Sequence, residues 1–189
     1  MREGDRFQLG REGGEFYRRA LDQAHEHELA LTKLSSLITA EEMVWEESPQ
    51  GRLKHMVNQW LGTREFCLDV YQQVLEPSER SGSHRHFSEE ILFVLEGDGF
   101  DLHWDPIFEA DVEYEWRWEE EPKRFEWTSG DFIYVPPYAV HQHSAGSSGA
   151  RLLSATSRIV KAMGFDGLEQ VEPAERYRDI GAAGSTGQA

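Results

Sequence analysis

The segment GSHRHFSEE, residues 82–90, holds two histidines two residues apart, followed by two glutamates. Imidazole and carboxylate are good ligands for borderline divalent metals. Whether they converge depends on the backbone beneath them. In a strand, residues i and i+2 point to one side; in a helix they point about 200° apart. His25 and His27 have the same spacing but sit in a helical pattern, so they cannot share an ion. His84 and His86 follow a turn and lead into the apolar run ILFVLE, which reads as a strand. A second block, GDFIYVPPYAVHQHS, brings His141 from another strand after a proline-marked turn. Three imidazoles and one carboxylate, from Glu89 or Glu90, suit one divalent ion such as Fe(II), Mn, Ni, Co or Zn. A coordination position then stays open for water, substrate or oxygen.

The elements that must position these residues are mostly strands. Residues 14–36 are the exception: Tyr17, Leu21, Ala24, Leu31 and Leu34 recur at helical steps with charge between them. Thr39 and Glu42 form a capping-box pattern for a short second helix. From residue 52 onward, RLKHMVNQ, REFCLDVYQQVL, ILFVLE, FDLHW, VEYEWRW, RFEW, DFIYV, AVHQHS and ARLLSATSRIV alternate with Gly- and Pro-marked turns. Many short strands at this spacing indicate an all-β sandwich or barrel. Residues 106–128 read as an inserted hairpin. There Val112, Tyr114, Trp116 and Trp118 alternate with Glu113, Glu115, Arg117 and Glu119, which makes one aromatic and one charged face. The expected division is a helical extension over 1–50, a barrel over 51–163 and a polar tail over 164–189, with IGAAGSTGQA disordered.

The two histidine blocks resemble the paired motifs of the cupin family. HRHFSEEILFVLEG, residues 84–97, matches His-x-His, three residues, Glu, six residues, Gly; GDFIYVPPYAVH, residues 130–141, matches the second motif. The resemblance implies an antiparallel jelly-roll β-barrel with metal ligands His84, His86, Glu90 and His141, and it selects Glu90 over Glu89. Two positions depart from the pattern. Tyr138 stands where a glycine is usual, which puts the local turn in question because such a glycine serves positive φ. Ala145 stands where an asparagine is usual. Cupins are commonly dimers, so the resemblance also implies a homodimer, with RLKHMVNQ available as an edge strand.

Around the ligands, His143 shares the parity of His141 and is a candidate acid or base, or else a core histidine. His103 and Tyr138 are candidate substrate contacts, beside walls offered by Phe93, Trp104 and Tyr134. Arg158, in the apolar run ATSRIV, suits a substrate carboxylate. Arg85, between two ligands, should point away, and Tyr71 shares a parity with Gln73. The cupins that resemble these motifs include Fe(II) dioxygenases of the gentisate dioxygenase kind, so an iron dioxygenase acting on a small aromatic or chelating substrate is the first expectation. A non-redox isomerase, lyase or decarboxylase is the alternative, and a non-catalytic ligand-binding cupin is a third.

Composition narrows the field. The chain has 189 residues, 39% of them apolar, with a formal charge of −16. That charge opposes nucleic acid and anionic membranes as partners. No apolar run is long enough to span a bilayer, and the N-terminus lacks a secretory core, so a cytoplasmic location is expected. The lone Cys67 reads as a small hydrophobe.

Overall fold

The computed structural model describes residues 14–63, 67–110, 114–165 and 167–179. The chain divides into a unit of residues 1–35 and a unit of residues 36–189. The first contains helix α1, Phe16–Thr32, which buries none of its residues. The stripe seen in the sequence lies on this helix, with Tyr17 80% and Leu21 54% exposed. No helix among the described residues is long and apolar enough to cross a membrane.

The second unit is antiparallel β-structure. Its strands are β1 Val44–Ser48, β2 Gly51–Val57, β3 Leu68–Leu75, β4 Ser83–Arg85, β5 Glu90–Trp104, β6 Pro106–Ala110, β7 Tyr114–Trp118, β8 Lys123–Thr128, β9 Phe132–Val135, β10 Val140–Ser157 and β11 Glu169–Glu172. Two long strands run through both layers of a jelly roll. The first half of β5 and the second half of β10 join β1, β2, β3 and β9 in one layer. Their other halves join β4, β8 and β11 in the second. The inner faces bury Leu75, Leu92, Val94, Trp127, Ile133, Val135 and Leu152 as one cluster. A four-residue helix α2, Ile159–Ala162, follows β10.

Both long strands change inward parity where they pass between layers. In β5 the buried residues are Glu90, Leu92 and Val94, then Gly99, Asp101 and His103. The shift occurs at Gly97, whose φ is +90° and whose neighbour across the ladder is Ala150. A Cβ at Gly97 would sit 2.1 Å from the Gly149 carbonyl oxygen. Gly97→Ala therefore meets both backbone strain and a main-chain clash. It is expected to destabilise the fold by more than about 1 kcal/mol, read from urea denaturation.

Several local expectations are corrected. Thr39 and Glu42 do bond to each other, but in one direction: Thr39 N and Oγ1 both donate to Glu42 Oε2, at 2.7 and 2.9 Å. They close a single turn rather than a helix, because Val44–Ser48 is drawn into β1 by its ladder with β2. RLKHMVNQ is consequently not an edge, since β2 is flanked by β1 and β3. The hairpin is smaller than 106–128. β6 and β7 pair with each other, while β8 returns to the barrel against β5. Val112 and Glu113 lie outside the described residues, as does the end of the tail from residue 180. The described part of the stretch after Gly164 is not loose: β11 pairs with β4, and Tyr177 is buried.

Candidate metal centre

His84 stands on β4, opposite His141 at the start of β10. His86 follows on the turn after β4, and Glu90 opens β5. The four side chains are buried, and one ligand atom from each lies within 4.8 Å of the others. Each imidazole has its Nδ1 facing a backbone carbonyl: His84 to Gly82 at 3.5 Å, His86 to Ser88 at 2.8 Å and His141 to Ala139 at 3.0 Å. An Nδ1–H donated outward fixes the tautomer and leaves Nε2 with its lone pair toward the centre. His86 Nε2 and His141 Nε2 lie 3.1 and 3.3 Å from Glu90 Oε2. His141 Nε2 is buried and makes no hydrogen bond. A buried donor set converging on one point, with an orphaned nitrogen, fits a divalent ion.

Glu90 is oriented as carefully as the histidines. Its Oε1 accepts hydrogen bonds from Tyr71 Oη, at 2.8 Å, and from Ser154 Oγ. Oε2 is thereby left to the three imidazoles. Burial works against the charged carboxylate, but the facing His141 and His86 imidazoles outweigh it and hold Glu90 well below the usual range. Burial holds His84 well below the ordinary imidazole value, and lowers His141 too. The set is thus an anion with neutral imidazoles, the protonation state a metal needs.

These directions carry a pH dependence. Groups with depressed values bind protons in the unfolded chain before they do in the folded one, so stability falls as pH drops. For His84 and His141 the loss begins below their ordinary value of 6.5. For Glu90 it begins below 4.5. Chelator-treated protein is expected to melt at lower temperature at pH 5 than at pH 7, with the metal-loaded protein falling more steeply as protons displace the ion. Calorimetric scans across that range check both.

A cavity of about 600 Å³ reaches this cluster. His84, His86 and Tyr71 form its inner wall, while Glu90 and His141 lie behind it with no exposed surface. An ion held by the four would present its open side to that cavity.

Solved structures with the same architecture include Lactobacillus farciminis oxalate decarboxylase in complex with formate, at TM-score 0.51 and 17% identity over 66% of this chain and 33% of that chain. Bacillus subtilis oxalate decarboxylase at pH 4.6 gives TM-score 0.51 and 16% identity over 71% and 31%. A third oxalate decarboxylase structure, concerned with proton-coupled electron transfer, gives 0.53 and 15% over 73% and 33%. The chain has the cupin fold. It spans about a third of the length of those structures. Neither a protein-family model nor a curated protein matches its sequence.

Within the cupin barrel, the other sequence candidates fall in different places. Arg158 lines the cavity, donating from Nη1 to Gln59 at 2.9 Å, with Nε 3.5 Å from Asp69. It is not in a strand, since β10 ends at Ser157 and Arg158 caps α2. His143 is fully buried and outside the cavity, with Nδ1 2.8 Å from Asp101 Oδ2. His103 is buried beside it, 3.4 Å from the same oxygen. Tyr138 lies on the outer side of the ligand turn. It has φ +65°, in the region the usual glycine serves, and stacks on Phe87 with centroids 4.2 Å apart. Trp118 donates to its carbonyl, and Trp116 packs edge-on against its ring. The hairpin's aromatic face therefore braces the turn that carries His86. Phe93, Trp104 and Tyr134 do not line the cavity. Glu89 faces outward and accepts from Tyr134 at 2.7 Å. Arg85 also points away, its guanidinium 3.7 Å above the Trp118 ring.

Two features were not singled out in the sequence. One is Asp101, the shared partner of His143 and His103. The other is His55 with Glu46, a pair on the cavity wall 2.6 Å apart.

Proposed function

We propose that the chain is a metal-dependent enzyme acting on a small chelating carboxylic acid by non-redox chemistry, decarboxylation foremost. The observation that carries this reading is the oriented three-histidine, one-glutamate set at the inner wall of a cavity that also holds Arg158. His84, His86, Glu90 and His141 would hold the ion. When bound, it supplies Lewis-acid stabilisation to negative charge developing on a substrate oxygen. The chain's own residues do the rest. Arg158 offers a guanidinium to a substrate carboxylate. Tyr71 and Ser154 keep Glu90 from turning. The fold shared with oxalate decarboxylases supports this reading over an iron dioxygenase, and the substrate class is proposed on that likeness.

The test is anaerobic. Protein loaded with Mn, Co or Zn is given oxalate, oxaloacetate and other oxo acids, and carbon dioxide release is measured above that of the free ion. Release with oxygen absent supports the reading. No release from any acid, with oxygen uptake on adding a phenolic acid to the iron-loaded protein, overturns it in favour of dioxygenase chemistry.

A further inference from the structure

The cavity wall carries a titratable pair that the ligand set does not use. His55 faces inward from β2 and Glu46 from β1, with His55 Nε2 2.6 Å from Glu46 Oε2. The ladder pairs His55 with Tyr71, and Tyr71 with Ser154. These three side chains form one row across β2, β3 and β10. Tyr71 and Ser154 end on Glu90 Oε1. The rings of His55 and Tyr71 are 6.5 Å apart. His55 is therefore one side chain away from the candidate ligands without touching them.

An ordinary ion pair at a sheet margin would contribute little to stability. This pair differs in where it stands. It shares a cavity with His84 and His86, the two candidate ligands on its wall. A carboxylate on Nε2 holds the proton there and leaves the Nδ1 lone pair as the reactive position, the arrangement of a carboxylate-oriented acid–base histidine. The histidine side chain is 25% exposed, enough to exchange protons with solvent between turnovers. The other charged or titratable groups of the cavity wall are Asp69 and Tyr71 on β3, the candidate ligands His84 and His86, and Arg158 and Lys161 beyond β10.

We propose that His55, oriented by Glu46, is the proton-transfer group of this cavity; the proposal rests on the lyase reading above. In decarboxylation of a 3-oxo acid, the bond between the α-carbon and the leaving carboxylate breaks. Its electron pair passes into the enolate and carbon dioxide departs. The α-carbon then takes a proton from Nδ1 of the His55 imidazolium, which recovers it from water. No oxidant or reductant is needed.

The test uses His55→Gln and Glu46→Gln with cobalt-loaded protein. Both variants are expected to retain stoichiometric cobalt and an unchanged cobalt absorption spectrum. Oxaloacetate decarboxylation should lose about a hundredfold in kcat in His55→Gln, with KM little changed, and less in Glu46→Gln. Turnover within twofold of wild type in His55→Gln overturns the proposal, as does loss of turnover together with cobalt. A separate readout needs no turnover. Ring-nitrogen NMR of zinc-loaded protein is expected to show the Nε2–H form of His55, with its signals moving when oxalate is added. If oxalate alters the cobalt spectrum but leaves the His55 ring unmoved, the proposal fails. If neither responds and no acid is turned over, the lyase reading fails first and takes this one with it.

Discussion

His141→Ala is expected to abolish stoichiometric metal binding. Loss of a residue that merely orients a ligand typically costs 10–100-fold in affinity, so loss of a ligand must cost at least about a hundredfold. The position of His141 makes the effect large. Its Nε2 is buried, unbonded and aimed at Glu90 Oε2, so no other described side chain takes its place. Glu90→Gln should act similarly while preserving shape. Tyr71 and Ser154 can still donate to the amide oxygen, but the set loses its only anion. Glu89→Ala is the control and should keep full metal, because Glu89 faces outward. Isothermal titration with cobalt measures the affinities. Melting gives a second reading: a ligand at a hundredfold excess over its Kd stabilises by about 2.7 kcal/mol, which wild type should gain and His141→Ala should not. Equal cobalt binding by wild type and His141→Ala would overturn the ligand assignment.

The ligands were legible because two short motifs place them on strands, where period-two alternation does most of the geometry. Less could be read at the bends. The facing of His103 was open in the sequence because the inward parity of β5 changes at Gly97, and a bulge leaves no periodic trace. With the shift known, odd positions after it point inward, and Asp101 and His103 become neighbours of His143. The turn at Tyr138 shows a different kind of substitution. The positive φ remains although glycine is gone, and stacking on Phe87 with bracing by Trp116 and Trp118 offsets what a β-carbon costs there. The His55–Glu46 pair was hidden because Val44–Ser48 read as the end of a helical extension. Strand β1 owes its conformation to pairing with β2, a tertiary effect that local propensity does not report.

Asp101→Ala is expected to be among the most destabilising single changes in the barrel, at about 3–5 kcal/mol, the range for removing one partner of a buried ion pair. Asp101 is fully buried between the layers. It accepts from Trp127 Nε1 at 2.8 Å and faces His143 Nδ1 at 2.8 Å and His103 Nε2 at 3.4 Å. Burial opposes its charge, yet His143 and its hydrogen bonds hold the carboxyl far below the usual range. His143 responds in the opposite sense: burial disfavours its charged form, but the Asp101 charge outweighs that and raises it. Removing the carboxylate would strand a buried imidazole and an indole N–H together, and neither has water to turn to. Asp101→Asn keeps an acceptor for one of them and should cost less. A double-mutant cycle with His143→Gln, measured by urea denaturation, should return a coupling of at least about 1 kcal/mol. Metal affinity in Asp101→Asn should stay within a few-fold of wild type, since Asp101 touches none of the four ligands. Retained metal with lost stability would mark the Asp101–His143 pair as the structural floor beneath the metal site; loss of metal with stability intact would instead make it part of the site itself.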